Sequence, residues 1–257
     1  MIPKIIHYCW FGNNPKDSKS LECIETWKKL LPDYQIKEWS EKDLEKTDNI
    51  YVKEAYQSKK WAFVSDYFRL YALFHDGGIY FDTDVEVKKS LDEFLDLEFF
   101  IGSELHGKSK HIGTAVIGAQ KSSPIIQKLL SVYDNILFIK KDGSFDMTPN
   151  TVRLVAPLKE CGFQKVYTDT APIYLNDKNV IFPIHYFSKE SETSYTVHHF
   201  LSSWTDAVVT KNEWHLNLWG KKLGIYRFKI QKPQEFKYPE SMSKKLLDWN
   251  YKKKYKK

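Results

Sequence analysis

Residues 60–75, KWAFVSDYFRLYALFH, read as a helix with almost no polar face. Trp61, Phe63, Val64, Phe68, Leu70, Leu73 and Phe74 run nearly all round the axis. A helix apolar on every side is a buried helix. Gly77-Gly78 supplies its stop. Asp66 and Arg69 stand at i, i+3 and share a face. Charged groups on a buried helix need partners. Two readings are open: a structural ion pair, or a helix end that meets a polar ligand such as sugar hydroxyls. The position just before an acidic segment favours the second.

That segment, GGIYFDTDVEV (77–87), alternates as a strand does. The alternation predicts Ile79, Phe81, Thr83, Val85 and Val87 on one face. Tyr80, Asp82, Asp84 and Glu86 then share the other. Three aligned carboxylates repel unless a positive partner or water covers them. Asp82 and Asp84, at i, i+2, can converge on one hard divalent cation that takes oxygen ligands. Such a cation, Mg²⁺ or Mn²⁺, holds a diphosphate and stabilises it as a leaving group. The competing reading is a solvated acidic face.

Around these elements, strands alternate with helices. Strands are expected at Ile2–Cys9, Tyr34–Trp39, Leu97–Ser103, Ile112–Ala119, Phe163–Tyr167, Val180–Pro183 and Tyr195–Phe200. Helices are expected at Ser20–Leu31, Pro124–Ile139 and Pro149–Glu160, with shorter pieces in 41–58. This pattern predicts an α/β fold with a mostly parallel sheet, which binds ligands beyond the carboxyl ends of its strands. Trp10 and Phe11 sit where the first strand ends, either to stack on a base or to pack in the core. HHFLSSW (198–204) gathers two imidazoles, two hydroxyls and an indole N–H, all able to contact a metal or phosphate oxygens. No GxxxxGK[ST], GxGxxG or convincing GxSxG motif occurs.

A chain of 257 residues suits one large domain or two small ones. Its net charge of +6, concentrated after Lys221, points to an anionic partner. Cys9, Cys23 and Cys161 form no pairing framework, which suggests a reducing compartment. The start lacks the apolar run of a signal peptide, and no stretch has the length of a membrane span. The expected location is cytoplasmic, with a peripheral place at the inner face of the plasma membrane.

Together IPKIIHYCWFG, WAFVSDYFRLYALFHDGGIYFDTDV and HHFLSSW resemble glycosyltransferase family 32, whose sugar-binding region contains a DXD motif. The family is similar to bacterial capsular polysaccharide transferases, yeast mannosyltransferases and, more distantly, large clostridial glucosylating toxins. The match covers about residues 1–90 well and 91–205 loosely. The resemblance implies a Rossmann-like GT-A fold, a nucleotide-sugar donor, a divalent metal and retention of anomeric configuration. It implies a catalytic domain over 1–220, with a donor and metal half (1–120) and an acceptor half (121–220). A basic, aromatic segment follows at 221–257.

Residue by residue, the resemblance assigns Trp10 to the base, with Phe11 beside it. Asp66 and Arg69 are assigned to the donor sugar, with Tyr80 beside the site. Asp82 is assigned to the donor and metal region, and Asp84 and His199 to the metal. Ser202 and Trp204 are assigned to the leaving phosphate, and Ser203 between them to the donor site. Asp66, Arg69, Asp82 and Trp204 form the implied catalytic set. Gly113-Thr114 stands where many members carry Asn, and Met147–Asn150 departs from the family's T-G-P turn, so neither is given a role.

The implied reaction moves a hexose or N-acetylhexosamine, from a UDP-sugar in preference, to a glycan or lipid-linked glycan acceptor in bacterial surface polysaccharide synthesis. Two rivals are a haloacid-dehalogenase-like phosphohydrolase using the same D-x-D, and a non-catalytic, metal-dependent glycan-binding protein. The first requires Thr or Val where Glu86 stands; the second leaves Asp66–Arg69 unexplained. The tail SKKLLDWNYKKKYKK reads either as a contact for anionic membrane or as a solvated end. No nucleic-acid recognition fold accompanies it.

Overall fold

The computed structural model describes residues 1–106 and 108–201, and the backbone of two strands at 208–218 and 221–231. The chain divides into two compact units, Met1–Ser202 and Ser203–Lys257. In order, the first unit contains β1 (Ile5–Cys9), α1 (Ser18–Leu30), β2 (Gln35–Trp39), α2 (Ile50–Gln57), α3 (Trp61–Asp76), β3 (Gly78–Phe81) and β4 (Val85–Val87). There follow β5 (Phe99–His106), β6 (Ser109–Ala119), α4 (Pro124–Leu130), α5 (Asn150–Arg153), α6 (Val155–Glu160), β7 (Ile173–Asn176), β8 (Asn179–Phe182), α7 (Ile184–Phe187) and β9 (Thr196–His198). In the second unit, β10 (Val208–Leu218) and β11 (Lys221–Gln231) form an antiparallel pair. No helix among the described residues is long and apolar enough to cross a membrane.

The central sheet has seven strands in the order β2-β1-β3-β6-β5-β8-β7. β6 and β7 run against the other five, so the expected mostly parallel α/β sheet is present. Each face carries its own core. Tyr80 joins the α3 side with Trp39, Val64, Phe68 and Ile117, whereas Ile79 and Phe81 join the α1 side with Trp27 and Phe100. Period-2 alternation in β3 thus serves two cores, each fully buried Phe contributing about 1.5–3 kcal/mol.

α3 ends at Gly77, whose N–H donates to the Leu73 carbonyl at 3.0 Å. Gly77 and Gly78 have φ of 70° and 112°. A Cβ on Gly78 would lie 2.5 Å from the Ile5 carbonyl oxygen. Glycine is therefore required to turn the chain from helix into sheet. His7, fully buried in β1, ties this corner down: its Nε2 lies 2.7 Å from the Gly77 carbonyl, and its Nδ1 lies 3.0 Å from Trp39 Nε1.

Several expected elements are corrected. The eleven-residue acidic strand breaks after Phe81; β4 pairs instead with β9 in a separate two-stranded sheet. The helix expected to Ile139 stops at Leu130. Asn49 donates to the Tyr133 carbonyl and Glu54 accepts the Ile139 N–H, both at 2.9 Å, so side chains satisfy backbone that helix would otherwise have paired. The helix expected over 149–160 divides at Leu154, because Pro157 has no N–H for the Arg153 carbonyl. Residues 163–167 form no strand; Phe163 and Val166 are buried from a loop. β7 went unanticipated, since its residues are only alternately half-buried at the sheet edge.

Candidate active site

Parallel pairing of β1 with β3 places both carboxyl ends at one edge of the sheet. Trp10 follows β1 there, and Asp82–Asp84 follow β3. The turn is set by backbone: the Asp82 N–H donates to the Ala115 carbonyl at 2.9 Å, and the Val85 N–H to the Asp82 carbonyl at 3.0 Å. β6 can reach this turn because its register against β5 jumps from Ile101↔Ile117 to Gly102↔Gly113, leaving Thr114, Ala115 and Val116 as an irregular insert.

Arg69 is the hub. Its Nη2 lies 2.9 Å from Asp66 Oδ1 and 3.3 Å from Asp82 Oδ1, and its Nη1 donates to the Thr114 carbonyl at 2.7 Å. The guanidinium also covers the Tyr80 ring at 4.7 Å, and the Tyr80 hydroxyl donates to Asp82 Oδ1 at 2.9 Å. The expected ion pair therefore exists and is continuous with the acidic turn. Side-chain exposure rises from 7% at Arg69 and 12% at Asp66 to 27% at Asp82, so the network opens outward at the first DXD carboxylate. Burial raises the Asp66 carboxyl to about 6, against the pull of Arg69 and with repulsion from Asp82. Burial would lower the Arg69 pKa, but Asp82, Tyr80 and Asp66 together lift it well above its ordinary value.

The three acidic side chains do not stack on one strand face. Each has its own partner, which is how their repulsion is relieved. Asp82 faces Arg69. Asp84 Oδ1 lies 3.3 Å from His198 Nε2, and its Oδ2 accepts the Leu201 N–H at 2.8 Å. Glu86 lies 2.9 Å from both Lys88 Nζ and His199 Nε2. Burial favours the neutral form of Asp84, yet His198 and the Leu201 N–H hold it below the usual carboxylate range. Lys88, opposed by partial burial and helped by His199, does the same for Glu86.

Asp82, Asp84 and His198 bring one ligand atom each within 4.8 Å of one another. This is where the expectation for His199 differs: β9 turns His198 toward the acidic turn, and His199 is bonded to Glu86. Two carboxylates and an imidazole fit a divalent ion, and the nitrogen favours a first-row transition ion such as Mn²⁺ over Mg²⁺. Burial would lower the His198 pKa, but Asp84 and Glu104 raise it to about 10.

Trp10 is half-buried, its indole N–H donating to the Asn14 carbonyl at 2.7 Å. Phe11 is buried against Phe68 at 5.4 Å, so its ring belongs to the core. Ser202, Ser203 and Trp204 lie outside the described residues. One site residue was passed over in the sequence. Asn150, 1% exposed in the MTPN segment, donates its N–H to Asp66 Oδ2 at 3.2 Å and its Nδ2–H to the Asp66 carbonyl at 2.8 Å. Its Oδ1 accepts from the Tyr133 hydroxyl. An Asn directly after Pro at a helix start was the available signal.

Residues 17–100 match the family described as glycosyltransferase sugar-binding region containing DXD motif. The inositol phosphoceramide mannosyltransferase 3 of Schizosaccharomyces pombe is 27% identical over 136 residues, covering 50% of this chain and 36% of that protein. The chain thus spans about a third of the curated relative it matches. Among solved structures, PaToxG glycosyltransferase is similar with a TM-score of 0.48 and 22% identity, over 63% of this chain and 70% of that one. A glycosyltransferase involved in the glycosylation of the major capsid of PBCV-1 gives 0.44 and 11%, over 78% and 95%. Asp66, Arg69, Asp82 and Asp84 all lie within the stretch that matches this sugar-binding region.

Proposed function

We propose that the protein is a metal-dependent, retaining glycosyltransferase. It moves a hexose or N-acetylhexosamine from a nucleoside-diphosphate sugar, UDP-sugar in preference, to a glycan or lipid-linked glycan in bacterial surface polysaccharide synthesis. The observation that carries this reading is the Asp82–Asp84–His198 cluster, joined through Asp82 to the buried Asp66–Arg69 pair at the carboxyl edge of the sheet.

Asp82, Asp84 and His198 would hold the cation, which when bound neutralises the diphosphate and stabilises it as a leaving group. Arg69 adds a fixed positive charge in a water-poor setting, where such charge acts strongly on a developing anion. Asp66 and Asn150 fix the wall that meets the sugar. Both Asp66 oxygens are already engaged, by Arg69 and by Asn150, but each retains a lone pair for a sugar hydroxyl. Trp10 stacks on the base. In the reaction the anomeric C–O bond breaks and its electron pair leaves with the diphosphate. The acceptor oxygen bonds the same face of that carbon, and its proton passes to the departing phosphate oxygen. Same-face attack is favoured because Asp66, Asp82, Asp84 and Glu86 are each held by a cation or donor rather than poised as a nucleophile.

The protein would work in the cytoplasm, with its basic C-terminal segment drawing it to anionic membrane. Incubation with a panel of nucleotide sugars and Mn²⁺ tests the reading. Release of one sugar, abolished by chelation, is expected, with the product's anomeric configuration read by NMR. Absence of release from every donor, or release indifferent to chelation, would overturn it.

A further inference from the structure

Glu104 lies in the C-terminal half of β5 and is 3% exposed. Its carboxylate Oε2 is 3.7 Å from Nδ1 of His198, on the side of the ring away from Asp84. Gly113 on the facing strand lies beside this carboxylate: a Cβ there would stand in contact at 3.4 Å from both Glu104 Oε2 and its Cβ. Glu104, Gly113 and His198 line a common cavity of about 10 Å³, which holds no more than one water.

We propose that Glu104 is the positioning residue of the metal site, acting through His198. A carboxylate facing Nδ1 keeps the ring's proton on that nitrogen. Nε2, which faces Asp84, gives up its proton when an ion binds and offers its lone pair to that ion. The same carboxylate strengthens the imidazole as a donor and fixes the ring's orientation. The 3.7 Å gap is longer than a hydrogen bond and closes directly or through one water. Glu104 thus links β5, deep in the sheet, to the end of β9, whose own sheet with β4 is separate from the central one. This inference rests on the metal-binding reading above and adds to it a residue beyond the ligand set.

The test is Mn²⁺ binding to the full-length protein, measured by electron paramagnetic resonance with Mn²⁺ alone and with saturating uridine diphosphate. Glu104→Gln keeps shape and size and should weaken Mn²⁺ binding about 10- to 100-fold, the effect of removing a carboxylate behind a ligating imidazole. In a His198→Ala background the same Glu104→Gln change should alter Mn²⁺ binding less than twofold, because the ring through which it acts is gone. Thermal melts of all four proteins separate folding from binding. Unchanged affinity in Glu104→Gln overturns the positioning role while leaving the metal reading intact. An equal loss in the His198→Ala background overturns it too, since Glu104 would then act on the ion without His198. A loss of affinity that merely follows a loss of folded protein also counts against it. A wild-type protein that takes up no Mn²⁺ under either condition overturns the metal reading itself, and this role with it.

Discussion

His7 makes an acid-sensitive joint, and its effect can be worked out from two distances. Trp39 Nε1 carries a hydrogen and can only donate, so His7 Nδ1, 3.0 Å away, must accept. The ring's single proton then sits on Nε2 and bonds the Gly77 carbonyl at 2.7 Å. A second proton would set N–H against N–H in a fully buried site. Burial accordingly lowers the His7 pKa from 6.5 to about 4, against the help of the Gly77 carbonyl and Asp76. A depressed histidine contributes stability that is fully present above pH 6.5 and is lost as pH falls through about 4. The drop of about 2.5 units corresponds to about 3 kcal/mol. Asp66 drifts the other way: its raised pKa gives stability present below 3.8 and lost as pH rises through about 6. Subtracting a His7→Phe variant from wild type removes that opposing drift. Urea denaturation at pH 7.5, 6, 5 and 4 should show the wild-type advantage over His7→Phe shrinking by about 3 kcal/mol toward pH 4. A difference that stays constant with pH would refute the neutral, doubly bonded histidine.

Asp84→Asn should cut donor turnover by more than about 100-fold with an unchanged circular dichroism spectrum, since the amide oxygen still accepts the Leu201 N–H but carries no charge for a cation; near-normal turnover at saturating Mn²⁺ would remove Asp84 from the ligand set. Arg69→Ala strips a buried charge from Asp66 and Asp82 and should cost about 3–5 kcal/mol in urea. Where folded protein remains, calorimetry should show weaker binding of the nucleotide sugar than of the free nucleoside diphosphate; equal losses would make Arg69 structural alone. Asn150→Ala removes the partners of the Tyr133 hydroxyl and the Asp66 carbonyl and should cost about 2–4 kcal/mol, and a thermal shift within error would contradict its place in the wall. Trp10→Ala should weaken nucleotide binding more than Trp10→Phe, because a smaller ring still stacks; normal binding by both would put the base elsewhere.

Much of the frame is legible in the chain because the signals are local. The apolar wrap of α3, its Gly-Gly stop and the alternation Ile79-Tyr80-Phe81 each follow from near-neighbour geometry. The acidic turn was hidden for the same reason. Asp82, Thr83 and Asp84 continue a period-2 pattern, and only the Ala115 carbonyl, brought in by a distant strand, turns the chain. Choosing between His198 and His199 meets a similar obstacle. On a strand, one residue decides the face, and the register of β9 on β4 is set by pairing, not by composition. Asn150 lies 84 residues from Asp66, so no window along the sequence joins them. Tyr133 and Phe138 show the converse: both lie in the stretch expected as helix and both are buried, but Asn49 and Glu54 satisfy backbone groups there without an α-helix.

The insert on β6 has a consequence for how this site tolerates change. Two of its contacts, Thr114 to Arg69 and Ala115 to Asp82, are made by main-chain oxygen. Such contacts are blind to which amino acid stands at either position, provided the side chain fits. They depend instead on residue count between Gly113 and Ile117. Replacing Ala115 with another small residue leaves both oxygens in place, whereas deleting any residue of the insert withdraws a ligand from Arg69 or from the turn. Here the chain stores information about the site as length rather than as side-chain identity.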